Sequence, residues 1–123
     1  MNDDYKNMAC RTYINHIHEL ADLRNGVEIM QELASEFEPN NAVFLESLDA
    51  RKEEYTNEID HACSLAEKLA QEIGTPGDML LDRINGKTYD AIARTMHYEL
   101  SSVKRNCRKA RIAMYNMLPI EYQ

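Results

Sequence analysis

Tryptophan is absent from this chain of 123 residues, and only four glycines, three prolines and three cysteines interrupt it. So few breakers leave room for long helices. Runs of Val, Ile and Thr that would build strands are missing, while Glu, Lys, Ala, Leu and Met are plentiful, and the balance predicts an all-α protein. Cys10, Cys63 and Cys107 are scattered and odd in number, which fits reduced thiols and not a disulfide framework. No stretch approaches the ~20 apolar residues that cross a bilayer. The opening Met1-Asn2-Asp3-Asp4-Tyr5-Lys6 is acidic and polar, unlike a secretory leader. The expectation is a cytoplasmic protein with no membrane partner.

Motifs for metals and catalysis are missing as well. His16 and His18 lie two residues apart, as do His61 and Cys63, and on a helix that spacing aims each pair at different faces. No CxxC or HxxxH spacing occurs, and no Gly-rich phosphate loop or nucleophile motif accompanies the many carboxylates. No metal, no cofactor and no catalytic residue are expected, so the chain is read as something other than an enzyme.

What is present is charge divided by position. Residues 1–82 carry 18 acidic and 6 basic side chains, whereas residues 83–123 carry 8 basic and 3 acidic. The overall −7 hides this division. By segment, an acidic scaffold carries a small basic module, an asymmetry that points to a polyanion at one end.

In the acidic part, Leu45, Leu48, Lys52, Tyr55, Ile59, Ala62, Ala66, Leu69 and Ile73 follow alternating steps of three and four, with one polar break at Lys52. That heptad seam predicts a long helix without Gly or Pro, which needs a partner to cover its stripe. Tyr13, Ile17, Leu20, Val27, Met30, Leu33 and Phe37 supply a second stripe, with Gly26 as a candidate kink or end. Glu38-Pro39-Asn40-Asn41 is the natural turn between them. The first 74 residues are therefore read as a coiled-coil-like helical hairpin. Its stripe either fills a core or serves outside the chain, by forming a homodimer through the N-terminal helices or by docking on a larger partner.

Residues 75–123 divide by their own punctuation. Thr75-Pro76-Gly77-Asp78 offers a capping hydroxyl, a proline at the first helical position and an acid in the first turn. That helix stops at Asn85-Gly86; Thr88 caps a second from Tyr89 to Met96, with Asp90 against its dipole. After a break at His97-Tyr98-Glu99, a third helix is expected from about Leu100 to Leu118, ahead of Pro119. Ile92, Ala93 and Met96 would pack on Val103, Cys107, Ala110 and Met114, which describes a helix–turn–helix. Lys104, Arg108 and Arg111, at i, i+4 and i+7, would line the face away from that core, flanked by Arg105 and Lys109. Five cations on two turns repel one another unless an anion sits against them.

The run Leu80-Leu81-Asp82-Arg83-Ile84-Asn85-Gly86-Lys87-Thr88-Tyr89-Asp90-Ala91-Ile92-Ala93, followed by Tyr98 and Ser101-Ser102-Val103-Lys104-Arg105, resembles region four of bacterial sigma factors. The whole arrangement is similar to phage and mobile-element transcription regulators of the ArpU/RinA type. The resemblance covers about 45 of the 123 residues and implies an element that reads the −35 promoter box. Two positions depart from the pattern: His97 stands where the turn usually has Gly, and Glu99 where the third helix usually begins with a hydroxyl.

The reading that follows is a sequence-specific DNA-binding transcription regulator with its third helix in the major groove of double-stranded DNA. Position along the helix assigns base contacts to Leu100, Ser101, Lys104 and Arg105. Phosphate contacts fall to Lys87, Thr88, Arg94, Arg108, Lys109 and Arg111. RNA polymerase is a further expected partner. Two alternatives stand beside this: a protein–protein adaptor acting on RNA polymerase or a sigma factor without DNA contact, and a DNA-packaging subunit of the small-terminase kind.

Overall fold

The computed structural model describes residues 2–123, and among them every regular element is helical. Helix α1 spans Asp3–Phe37 and α2 spans Ala42–Ile73. Asn2 caps α1 by accepting the Tyr5 N–H at 2.8 Å, with Asp3 and Asp4 in the first turn complementing the dipole. Asn41 caps α2 in the same way, accepting from the Phe44 N–H at 3.2 Å. The two helices run antiparallel, since Arg24 reaches Thr56, Glu28 reaches Lys52 and Gln31 reaches Asp49. Gly26 neither ends nor interrupts α1, because the i to i−4 ladder needs nothing from its missing side chain.

On α2 the heptad seam is the buried face: Leu48, Ile59, Ala62, Ala66 and Leu69 are buried, and Leu45, Lys52, Tyr55 and Ile73 are half-buried. On α1 the expected stripe holds only in its first half. Cys10, Tyr13, Ile14, Ile17 and Leu20 are buried, but the seam then continues through Val27 and Ala34. Met30, Leu33 and Phe37 lie on the neighbouring flank and are exposed.

A single residue, Gly74, joins α2 to α3 (Thr75–Ile84). Its φ of +74° is open to glycine at little cost. Gly74 is also the N-cap of α3, one residue ahead of the expected Thr75, and its carbonyl accepts from the Gly77 and Asp78 amides at 2.9 and 3.3 Å. Gly77 lets α2 and α3 touch: a Cβ there would stand 2.5 Å from the Ala70 backbone.

Helix α4 covers Tyr89–Met96 and α5 covers Leu100–Met114. The last helix stops short of Leu118, because Tyr115–Met117 tightens into a 3-10 turn and a second such turn follows at Ile120–Tyr122. This C-terminal segment folds back onto α1, with the Tyr122 ring 5.1 Å from that of Tyr13. Buried side chains of α1, α2, α3, α5 and the closing turn form one core, from Cys10 and Ile17 through Ala62 and Leu69 to Leu80, Ile84, Ala110, Met114 and Leu118. The packing therefore runs straight across the boundary expected between residues 74 and 75. Full burial of each Leu, Ile or Met stabilises by about 1.5–3 kcal/mol, so neither half keeps its core without the other.

Candidate nucleic-acid interface

The basic segment is built on a second, smaller core. Met79 from α3, Ile92 from α4 and Val103 and Cys107 from α5 are buried together, with Tyr89, Ala93 and Met96 packed around them. Thr88 starts α4, its Oγ1 accepting the Ala91 N–H at 3.1 Å. Helix α4 ends at His97, whose φ of 60° and ψ of 44° place it in the left-handed region. Glycine is the usual solution there; His is among the side chains that tolerate it at modest strain. The turn closes through Tyr98 N–H to the Ala93 carbonyl at 3.0 Å. Glu99 is the N-cap of α5 in extended conformation, and its carboxylate makes no capping bond. Helix α5 begins at Leu100, so Ser101 lies within its first turn.

With Val103, Cys107, Ala110 and Met114 facing inward, the helix repeat sends Ser101, Lys104, Arg105 and Lys109 outward, and all four are exposed. Leu100 is exposed beside them. Arg105 donates to Ser102 Oγ at 3.2 Å and keeps its position over the same face. Of the other expected anion contacts, Arg94 is exposed on α4. Lys87 is exposed and lies 3.4 Å from the half-buried Asp82 in an ion pair. The Thr88 oxygen is engaged as the cap.

Two arginines depart from the expected ridge. Arg111 is only 7% exposed. Its Nε donates to Asn7 Oδ1 at 2.6 Å and its Nη1 to the Tyr89 hydroxyl at 3.1 Å, so it ties α1 and α4 to α5 and stands inside, off the exposed ridge where a phosphate contact was expected. Arg108 is half-buried, and its Nη2 donates to Asp4 Oδ1 at 2.7 Å. The cause is shared. The row Lys104, Arg108, Arg111 follows one flank of α5, and the first two turns of α1 lie along that flank from Arg108 onward. The row begins in solvent and ends inside. Asp3 lines an open cleft with Arg105, Arg108, Lys109 and Ile112, so acids from the start of the chain border the cations at its end.

Sequence reasoning gave no role to Asn7, Asp4 or Tyr89, which hold these arginines. It also passed over Arg83, which stacks 4.6 Å above the Tyr89 ring and donates to the Lys87 carbonyl at 2.7 Å. His18 Nε2 lies 2.7 Å from the Arg83 carbonyl oxygen and anchors α3 on α1. The polar start of the chain was the available signal, but nothing in it specified α5 as its partner.

Burial pushes the Cys10 thiol up to about 12, with the nearby Arg111 guanidinium acting in the opposite sense. Cys107 is raised by burial too, again opposed by Arg111. Among the described residues, no three His, Cys, Asp or Glu side chains gather where they could hold a metal ion, and no helix is long and apolar enough to cross a membrane. No family model matches the chain, and neither a curated protein nor a solved structure matches it.

Proposed function

We propose that this chain is a sequence-specific DNA-binding transcription regulator, of the phage or mobile-element kind, that lays α5 in the major groove. The observation that carries the reading is one exposed face of α5 bearing Ser101, Lys104, Arg105 and Lys109. The left-handed turn at His97 and the core beneath hold it out. Leu100, Ser101, Lys104 and Arg105, in the first two turns, meet base edges: Arg and Lys suit guanine, and Leu100 suits a thymine methyl. Lys109 and Arg94 hold phosphates. Arg108 joins them by exchanging the exposed Asp4 for phosphate, since exposed ion pairs contribute only ~0–1 kcal/mol, and Lys87 by swinging its exposed ammonium away from the half-buried Asp82. Thr88 accepts at its cap and keeps an O–H to donate.

One such module binds weakly at physiological salt, so site choice requires a second copy or RNA polymerase. The acidic hairpin supplies the pairing or docking element and is itself repelled by the duplex. In a gel shift on sites selected from a random duplex pool, Lys104→Ala with Arg105→Ala abolishes retention and leaves the helical circular dichroism intact. Unchanged retention overturns the reading.

A second reading draws on Tyr98 and Leu100, both exposed at the turn before the cationic face. A protein surface, on RNA polymerase or a sigma factor, would bury them and make the chain an adaptor without DNA contact. An adaptor shows no salt-sensitive duplex binding, whereas the DNA reading requires it.

A further inference from the structure

From Leu20 onward two stripes run side by side along α1. One, of Leu20, Val27 and Ala34, is buried against α2. The other, of Leu23, Gly26, Met30, Leu33 and Phe37, keeps alternating steps of three and four and is open to solvent. Leu23, Met30, Leu33 and Phe37 are 52, 41, 50 and 73% exposed, and Ile29 at its edge is 59% exposed. The opposite flank of the same hairpin segment is occupied by polar contacts: Arg24 to Thr56 at 3.4 Å, Glu28 to Lys52 at 3.6 Å and Gln31 to Asp49 at 2.6 Å. Nearer the chain start, the C-terminal turn covers the stripe's flank around Thr12 and His16. Past that point none of the described residues does. No charge falls on the stripe between Leu23 and Phe37, and Glu28, Glu32 and Glu36, four apart, run down the far side of the helix.

We infer that a second copy of this chain covers the stripe, with the two α1 helices antiparallel about a two-fold axis near Met30. Reversed upon itself there, the stripe sets Leu23 against Phe37, Met30 against Met30, and Gly26 against Leu33. A large side chain thus meets the one gap, which is open in the single copy: a Cβ at Gly26 would have nothing within 4 Å. Such a contact is isologous, the commonest symmetry of soluble assemblies. It also brings both α2 helices to the same side, completing a four-helix arrangement. The stripe exposes roughly 500 Å² per copy, so covering it fully in two copies reaches the ~1,000 Å² lower bound for a specific interface.

The pairing deepens the proposed reading, which needs two modules. From Asn7, where α5 is anchored, to Met30 is roughly 35 Å of helix at ~1.5 Å per residue. The paired cationic faces therefore stand roughly 70 Å apart, about two turns of duplex at ~34 Å each.

The test uses the full chain without DNA, by sedimentation velocity over a wide concentration series. The wild type sediments at twice the chain mass. Gly26→Leu, which fits the single copy but strikes the partner's Leu33, weakens pairing by about tenfold or more with helicity retained, and Leu33→Glu does the same. In a Cys63→Ser background, Met30→Cys oxidises to a linked dimer, while Leu23→Cys links only when mixed with Phe37→Cys. A monomer throughout, a ring-sized assembly, indifference to Gly26→Leu, or self-linking of Leu23→Cys overturns the inference. A dimer that ignores duplex sinks the DNA reading alone; a monomer that retains duplex sinks the pairing alone.

Discussion

The two ends of the hairpin are made of the same helices and live in different surroundings. Near the chain start, α1 and α2 are enclosed by α3, α5 and the closing turns, and their side chains join the main core. Toward the 38–41 turn the same pair stands alone, with Val27, Ala34 and Leu48 as its buried residues. Two helices can hide one face of each and no more. Leu33 and Phe37 lie on the flank beside the α2-facing seam, and they are exposed because no third layer reaches that flank. A heptad seam reports which residues want burial, and the number of layers decides which receive it.

The sharpest way to break this comparison is to make the same kind of change at both ends. Gly77→Val drives a side chain into the Ala70 backbone, and loss of cooperative thermal unfolding is the expected outcome. The gentler Gly77→Ala costs about 3 kcal/mol and lowers the midpoint by about 10 °C. A Gly77→Ala protein as stable as the wild type would mean that α2 and α3 do not meet this closely.

Arg111 comes next. Arg111→Met leaves Asn7 and Tyr89 without a partner in the enclosed end and costs about 2–3 kcal/mol in urea unfolding. Lys109→Ala, two residues earlier on the opposite, exposed side of α5, stays within about 0.5 kcal/mol. It instead lowers the salt slope of duplex binding by about 1. Equal stability losses for the two would remove the distinction between the buried and the open cation.

Alkaline pH probes the enclosed end alone. Cys10 and Tyr13 are each held near 12, chiefly by burial, from ordinary values of 9.0 and 10.0. The unfolded chain therefore releases these protons first, and stability is full below about pH 9 and falls as pH climbs toward 12. By pH 10.5 Cys10 alone accounts for about 2 kcal/mol, which Cys10→Ala should remove from the pH dependence of urea unfolding. A flat profile between pH 8.5 and pH 10.5 would contradict the enclosure of Cys10.

The smallest effect lies at the open end. In the single copy Gly26→Ala meets nothing, and at concentrations too low for pairing helix propensity predicts a gain of up to ~1 kcal/mol in chemical denaturation. The same glycine-to-alanine exchange should thus carry opposite signs at residues 26 and 77.

Much of this was legible in the residues, and the reasons it stops where it does are physical. The bounds of α4, its Thr88 cap and the left-handed residue at His97 follow from local turn chemistry, which acts over three or four residues. The α2 seam is legible because its period matches the helix over four heptads. The α1 seam is ambiguous: 20–27–34 and 23–30–37 are equally periodic and lie about a sixth of a turn apart, and the small Ala34 gave the buried one no prominence. The α3 cap at Gly74 is a backbone arrangement without a side-chain signature. In the basic face, Ser101, Lys104, Arg105 and Lys109 are exposed as the helix repeat requires. The burial of Arg111 depends on Asn7, 104 residues away, and no spacing rule reaches that far.

Gly74 is the only residue of chain between the hairpin and the helices that follow it. A corner with no slack makes tip and cationic face one stiff body, so the orientation imposed at one is delivered at the other. On the proposed DNA-binding reading, operator choice becomes a matter of helical phase. Moving one half-site by about 5 bp, half of a ~10 bp turn, rotates its groove to the far side of the duplex and forbids simultaneous engagement, where a flexibly tethered domain would simply follow.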